Sequence, residues 1–153
     1  MKPWNVEICD VTLRDGEQTP GVSFTPEEKI DIATRLDAVG VEVIEAGFPI
    51  VSVHEKDMIR NISRLGLDAK ICGLTRACRE DVDAALDAEV DMIGLFIAPS
   101  DMHLKYKHKK PREVVVANAL EQLDYAVDHG LIVRFGAEDA SRTSNDVLVD
   151  IYT

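Results

Sequence analysis

Residues 25–48, TPEEKIDIATRLDAVGVEVIEAGF, contain one complete helix-to-strand unit. Thr25 takes the N-cap position, Pro26 the first helical position and Glu28 the reciprocal place of a capping box. Ile30, Ala33 and Leu36 share one face, and Gly40 marks the stop. The next residues, 41–48, are a short run rich in β-branched side chains, interrupted only by acids. The spacing therefore predicts a helix followed directly by a buried strand.

The same unit recurs on both sides. Residues 6–11 (VEICDV) predict a first strand, followed by helices over 53–65, 79–88 and 112–129. Strands are predicted over 69–75, 91–98 and 131–137, and another helix begins near Asn145. Strands apolar on both faces and separated by amphipathic helices imply a parallel sheet under helical cover, with no internal domain boundary. Each strand delivers polar or ionisable groups at its C-terminal end: Arg14 and Asp15, Glu45, Thr75 and Arg76, Ser100 with Asp101 and His103, then Glu138 and Asp139. Convergence of such ends on one mouth is the property of a (β/α)8 barrel, the TIM barrel, whereas an open sheet gathers ligand groups mainly at one switch point. The expected fold class is α/β, the N-terminal portion of a TIM barrel with about five parallel strands. A whole barrel usually takes about 250 residues, so residues 1–153 are expected to form a single partial barrel lacking its C-terminal half and any regulatory domain.

Composition narrows the function classes. An apolar content of 46% with 29% charged residues describes a globular chain with a core. A net charge of −11 argues against nucleic acid as a partner. No window approaches the roughly 18 apolar residues of a membrane span, and the opening MKPWNVEICD lacks a signal-peptide block, so a cytoplasmic protein with no membrane partner is expected. Cys9, Cys72 and Cys78 form no CxxC pair and are expected to be reduced, Cys9 and Cys72 as small core fillers. His129 is placed to meet a helix C-terminus. One cationic run stands out in the acidic chain, KYKHKKPR at 105–112, in the loop expected between the fourth strand and the helix beginning at 112.

Four stretches, DVTLRDGEQTPG (10–21), VIEAGFP (43–49), SDMHLKYK (100–107) and AEDASRT (137–143), together resemble the N-terminal half of the condensing enzymes 2-isopropylmalate, homocitrate and citramalate synthase. Their superfamily of metal-dependent barrels also holds hydroxymethylglutaryl-CoA lyase. The resemblance covers essentially the whole chain. It implies an acetyl-CoA:2-oxo acid C-acyltransferase that adds the acetyl enolate to a ketone and hydrolyses the thioester. The co-substrates are acetyl-CoA and a small-molecule 2-oxo acid, and the cofactor is a divalent metal: Mg2+, Mn2+ or Zn2+. The resemblance makes Asp15 the metal ligand, Arg14 the cation at the developing oxyanion, Glu45 a catalytic carboxylate beside the metal and its water, and Glu138 the proton-transfer group. It also makes Gln18, Arg76 and His103 substrate contacts.

Two further expectations come from the residues. Arg134 is available to bind an anion, and Lys107, Lys109 and Lys110 are expected to attract the phosphates of coenzyme A by charge. The chain departs from the family in having no His-x-His pair to complete the metal site, so by itself it is expected to be inactive. It would be a fragment of a longer chain, or a homo-oligomer whose partners cover open barrel edges. Cys78 stands where lysine-pathway homocitrate synthases have a histidine that reads a distal carboxylate. That orders the acceptors as isopropylmalate-type, then homocitrate-type, then citramalate-type. The alternatives to a transferase are a carbon–carbon lyase of the same superfamily and a non-catalytic barrel fragment.

Overall fold

A computed structural model describes residues 6–153. Residues 1–5, which belong to the opening stretch that carried the signal-peptide reading, lie outside the described residues. The strands are β1 (Cys9–Asp10), β2 (Val43–Gly47), β3 (Lys70–Arg76), β4 (Met92–Ile97) and β5 (Ile132–Ala137). The helices are α1 (Pro26–Ala38), α2 (Val53–Ser63), α3 (Arg79–Asp87), the single turn α4 (Asp101–His103), α5 (Arg112–Asp128) and α6 (Asn145–Tyr152).

All neighbouring strands are parallel, in the order β1-β2-β3-β4-β5. A doubly wound sheet reverses its strand order at a switch point, and this sheet does not. Unbroken sequential order is that of a barrel wall, so the chain forms a half-barrel. Side chains alternate across that wall. Ile44, Ala46, Ile71, Ile93, Leu95 and Ile97 join the core beneath the helices. Glu45, Cys72, Gly94 and Arg134, which lie on the same side of adjacent strands, line the inner face.

Local chemistry sets the helix boundaries. The backbone N–H of Glu28 donates to Thr25 Oγ1 at 3.2 Å and that of Thr25 donates to Glu28 Oε2 at 2.8 Å, so the capping box is closed. Gly40 ends the unit at φ +87°, a conformation open to glycine at little cost. His129 caps α5, its ring Nδ1 lying 2.8 Å from the Tyr125 carbonyl oxygen.

Two sequence expectations are corrected. The first strand is two residues long rather than six, because β1 is an edge strand and the residues before it stand in solvent, with Val6 74% and Ile8 60% exposed. The segment after β4 is not a loop: α4 runs on into a π-helical turn over Leu104–His108, whose C-terminal neighbour Lys109 takes left-handed backbone at φ 53°. On the opposite edge, β5 is the most open of the longer strands, with Ile132 46% exposed on the inner face. Among the described residues no helix is long and apolar enough to cross a membrane. The three cysteines are free thiols, Cys72 buried and Cys9 half-buried against Arg134.

Candidate active site

The charged knot after β1 is a five-residue π-helical turn, Thr12–Gly16. The Val11 carbonyl accepts from the N–H groups of Arg14, Asp15 and Gly16 at 3.2, 2.8 and 3.2 Å. Leu13 anchors the turn with no exposed surface. Alternate residues of so tight a turn diverge, so Leu13 enters the core while Arg14 swings across the inner face. Its Nε donates to Glu45 Oε1, and Nη1 donates to Asp15 Oδ1 at 2.7 Å.

Glu45 is fully buried, and its second oxygen accepts from Arg134 Nη2. Gly94 makes that approach feasible: a Cβ there would fall 3.1 Å from Arg134 Nη2. Arg134 therefore serves the buried carboxylate rather than standing free for an anion. One carboxylate lies between two guanidiniums, which satisfies the rule that buried charges be paired, and the remaining positive charge is balanced by the exposed Asp15 on Arg14. Asp15 faces outward, its side chain 62% exposed. Gln18 lines a cavity of about 230 Å³ with Arg14, Gly47 and Phe48.

Sequence reasoning missed the ion group beneath this turn. Lys29 on α1 is 5% exposed, with Nζ 2.7 Å from Glu17 Oε2 and 3.0 Å from Glu55 Oε2. Glu17 Oε1 accepts from the Phe24 N–H at 3.1 Å. One buried cation thus ties the knot to α1 and α2. A signal existed, since Lys29 lies four residues before the buried Ala33 and so on the inward face.

A second group forms where β3, β4 and β5 end. A cavity of about 420 Å³ is lined by Arg76, Cys78, Phe96, Lys107, Lys110 and Glu138, among others. Arg76 is forked onto the fully buried Asp81, with Nε donating at 2.9 Å and Nη2 at 2.7 Å. Lys107 donates to Glu138 Oε2 at 2.6 Å, so its charge is already partnered. Lys109 turns away and lines a shallower neighbouring cavity with Lys110. His103 lies against Asp139, with Nδ1 3.0 Å from Oδ2. His108, whose spacing from His103 does not match a His-x-His pair, has its Nε2 buried without a partner. Burial, with Lys107 next to it, pushes its imidazole below the ordinary value.

The HMGL-like family model matches residues 5–153. The chain belongs to the HMGL-like family. It is 58% identical over 147 residues to the homocitrate synthase AksA of Methanosarcina acetivorans, covering 96% of this chain and 36% of that protein. It is 55% identical over 150 residues to the 2-isopropylmalate synthase of Methanocaldococcus jannaschii, covering 98% of this chain and 29% of that one. Among solved structures, the HMG-CoA lyase of Bacillus subtilis superposes with a TM-score of 0.77 at 19% identity, over 98% of this chain and 54% of that one. This HMGL-like chain therefore spans about a third of the length of these curated relatives.

The donor set of this HMGL-like chain does not complete a metal site. Asp15 offers one carboxylate, with an oxygen already engaged by Arg14. Among the described residues no group of three or more His, Cys, Asp or Glu is arranged to hold an ion. Affinity for a divalent cation is built from ligand number and geometry, and Asp15 would be one of the several ligands such an ion needs.

The thiols are correspondingly quiet. Burial pushes Cys72 up to about 12 and Cys78 up to about 11, so both are neutral at physiological pH.

Asp81 gives a pH prediction. Burial favours its neutral form, but the bonds from the Arg76 side chain and backbone and from Cys78 prevail and hold it below 3.8. A depressed carboxylate contributes stability that is complete above its unfolded value and is lost as pH falls through the folded one. Asp81→Asn should flatten the acid limb of the stability profile, measured by urea unfolding at stepped pH from neutral down to about pH 3, a range set around the ordinary aspartate value.

Proposed function

We propose that this chain supplies the N-terminal half of the catalytic barrel of an acyltransferase that condenses acetyl-CoA with a 2-oxo acid. The observation that carries the reading is the Arg14–Glu45–Arg134 group at the mouth of the half-barrel. Its fixed guanidinium, Arg14, suits an anionic acceptor whose ketone oxygen becomes more negative as the bond forms. A guanidinium held in place before the reaction stabilises that charge without reorganising. Kinship with homocitrate and isopropylmalate synthases supports the same reaction class.

In this reading Arg14 faces the developing oxyanion, and the buried Glu45 holds it there. Glu138, which lines the cavity shared with Arg76 and Cys78, takes a proton from the acetyl methyl group. Asp15 would contribute one carboxylate ligand to a divalent cation, which would polarise the ketone oxygen. Lys110 and Lys109 attract the coenzyme A phosphates, while Lys107 holds Glu138 instead. Arg76, anchored by Asp81, and Gln18 border the acceptor. Cys78 presents a neutral thiol to the cavity, and Arg134 is bound to Glu45. Neither provides a cation for a distal carboxylate, which favours monocarboxylic 2-oxo acids of the isopropylmalate type.

A graft tests the reading. Replacing the matching residues of the Methanosarcina acetivorans relative by this chain should yield an enzyme that releases thiol from acetyl-CoA with a 2-oxo acid and Mg2+ or Mn2+. The isolated chain should release none. Within the graft, the double change Lys109→Gln and Lys110→Gln should raise the acetyl-CoA KM several-fold and weaken its dependence on salt. A folded graft that is inert with every acceptor in a 2-oxo acid panel would refute the proposal.

A further inference from the structure

Outside the Arg14–Glu45–Arg134 group, the densest set of buried polar contacts joins the ends of β4 and β5. Ser100 is 1% exposed and the Asp139 side chain 6%. Ser100 Oγ lies 2.6 Å from Asp139 Oδ2, and His103 Nδ1 lies 3.0 Å from that same oxygen and 3.0 Å from Ser100 Oγ. Arg142 Nε donates to Asp139 Oδ1 at 2.6 Å. Asp139 has left-handed backbone at φ 62°. That conformation costs energy for a side-chain-bearing residue, though Asp and Asn tolerate it best, and such strain gathers where a side chain must be presented in one place.

Proton counting assigns the hydrogen bonds. The bonds from Ser100, Arg142 and His103 hold the Asp139 carboxyl below its ordinary range, so it is ionised and contributes no proton. If the Ser100 hydroxyl donated to His103 Nδ1, the 2.6 Å contact would press an oxygen lone pair against a carboxylate. The hydroxyl therefore donates to Asp139, and the remaining contact requires a proton on Nδ1.

We propose that Asp139 is a positioning residue that, with Ser100, locks His103 as the Nδ1–H tautomer and leaves Nε2 as a proton acceptor facing Glu138. Nε2 lies 3.8 Å from Glu138 Oε1, while Lys107 holds the other oxygen at 2.6 Å. Only the use made of this acceptor rests on the condensation proposed above. The proton that Glu138 takes from the acetyl methyl group passes to His103: the Glu138 O–H bond breaks, an N–H bond forms at Nε2, and the imidazolium is balanced by Asp139. Asp139 acts through His103 and touches no reacting atom.

Long-range 15N–1H NMR of the chain with 15N-labelled histidine, at a pH where imidazole is neutral, reads the tautomer directly. His103 is expected as Nδ1–H. Asp139→Asn keeps the backbone tolerated, but its amide can either accept from Nδ1 or donate to it, so the single-tautomer signature should be lost. Ser100→Ala should retain the signature through Asp139 alone. The spectra of His54, His108 and His129 report whether each variant is folded. An Nε2–H signal in the parent, or an unchanged tautomer in folded Asp139→Asn, overturns the proposal whatever reaction the protein catalyses. In an active graft, a pH–rate profile unaltered by His103→Gln overturns the relay and leaves the condensation standing.

Discussion

Glu45→Gln is expected to destabilise the chain by about 3 kcal/mol, the lower end of what removing one member of a buried ion pair costs. The glutamine is nearly isosteric, so packing is preserved and the effect is electrostatic. Without the carboxylate, Arg14 and Arg134 are left directed at one neutral amide inside the barrel wall, and Gly94 leaves no other group there to separate them. The Arg14 side chain is 21% exposed and that of Arg134 42%, so water relieves part of the repulsion, which places the estimate at the lower end of the range. The urea midpoint should fall with an unchanged slope. Adding Arg134→Met to Glu45→Gln should recover part of the loss, because it removes the cation that loses its carboxylate partner, whereas Arg14 keeps Asp15. Strictly additive losses in that double variant would show that the two residues are not coupled. In the active graft, Glu45→Gln should also lower kcat, since Arg14 loses the partner that aims it.

Gly47→Ala is the second large effect, at about 2 to 4 kcal/mol, from a half-buried ion contact broken together with strained backbone. Gly47 sits at φ 152°, and an added Cβ would lie 2.2 Å from Glu55 Oε1 and 3.0 Å from Ile59 Cδ1. Glu55 cannot simply swing aside, because its other oxygen holds Lys29 at 3.0 Å. The substitution must therefore break the Glu17–Lys29–Glu55 group, strain the strand end, or both. Combining Gly47→Ala with Glu55→Ala should cost less than the sum of the single changes, since the clash disappears with the carboxylate. Equal and additive losses by thermal unfolding would refute the steric account. Gly47 also lines the cavity beside Arg14 and Gln18, so the loss should extend to the mouth.

The elements most legible in the sequence are those built from near neighbours. The α1 capping box, the glycine stop at Gly40 and the five parallel strands all follow from contacts within a few residues or from simple periodicity. The shortness of the first strand is not legible in the sequence, because propensity counts residues without knowing that an edge strand pairs on one side only. The turn over Leu104–His108 is not legible in the sequence, because a run of lysines carries no apolar period.

The candidate site divides in the same way. The sequence by itself determined which strand ends carry charge, and hence that Arg14, Asp15, Glu45 and Glu138 emerge on one side of a parallel sheet, because strand direction and the period of two are local properties. Only the tertiary structure decided who meets whom. Arg134 joins Glu45 from 89 residues away, Lys107 takes Glu138, and Asp139 gathers Ser100 and His103. Those partnerships depend on the curvature that brings β5 round to face β2, and curvature is a property of the whole wall, which no segment of it encodes alone.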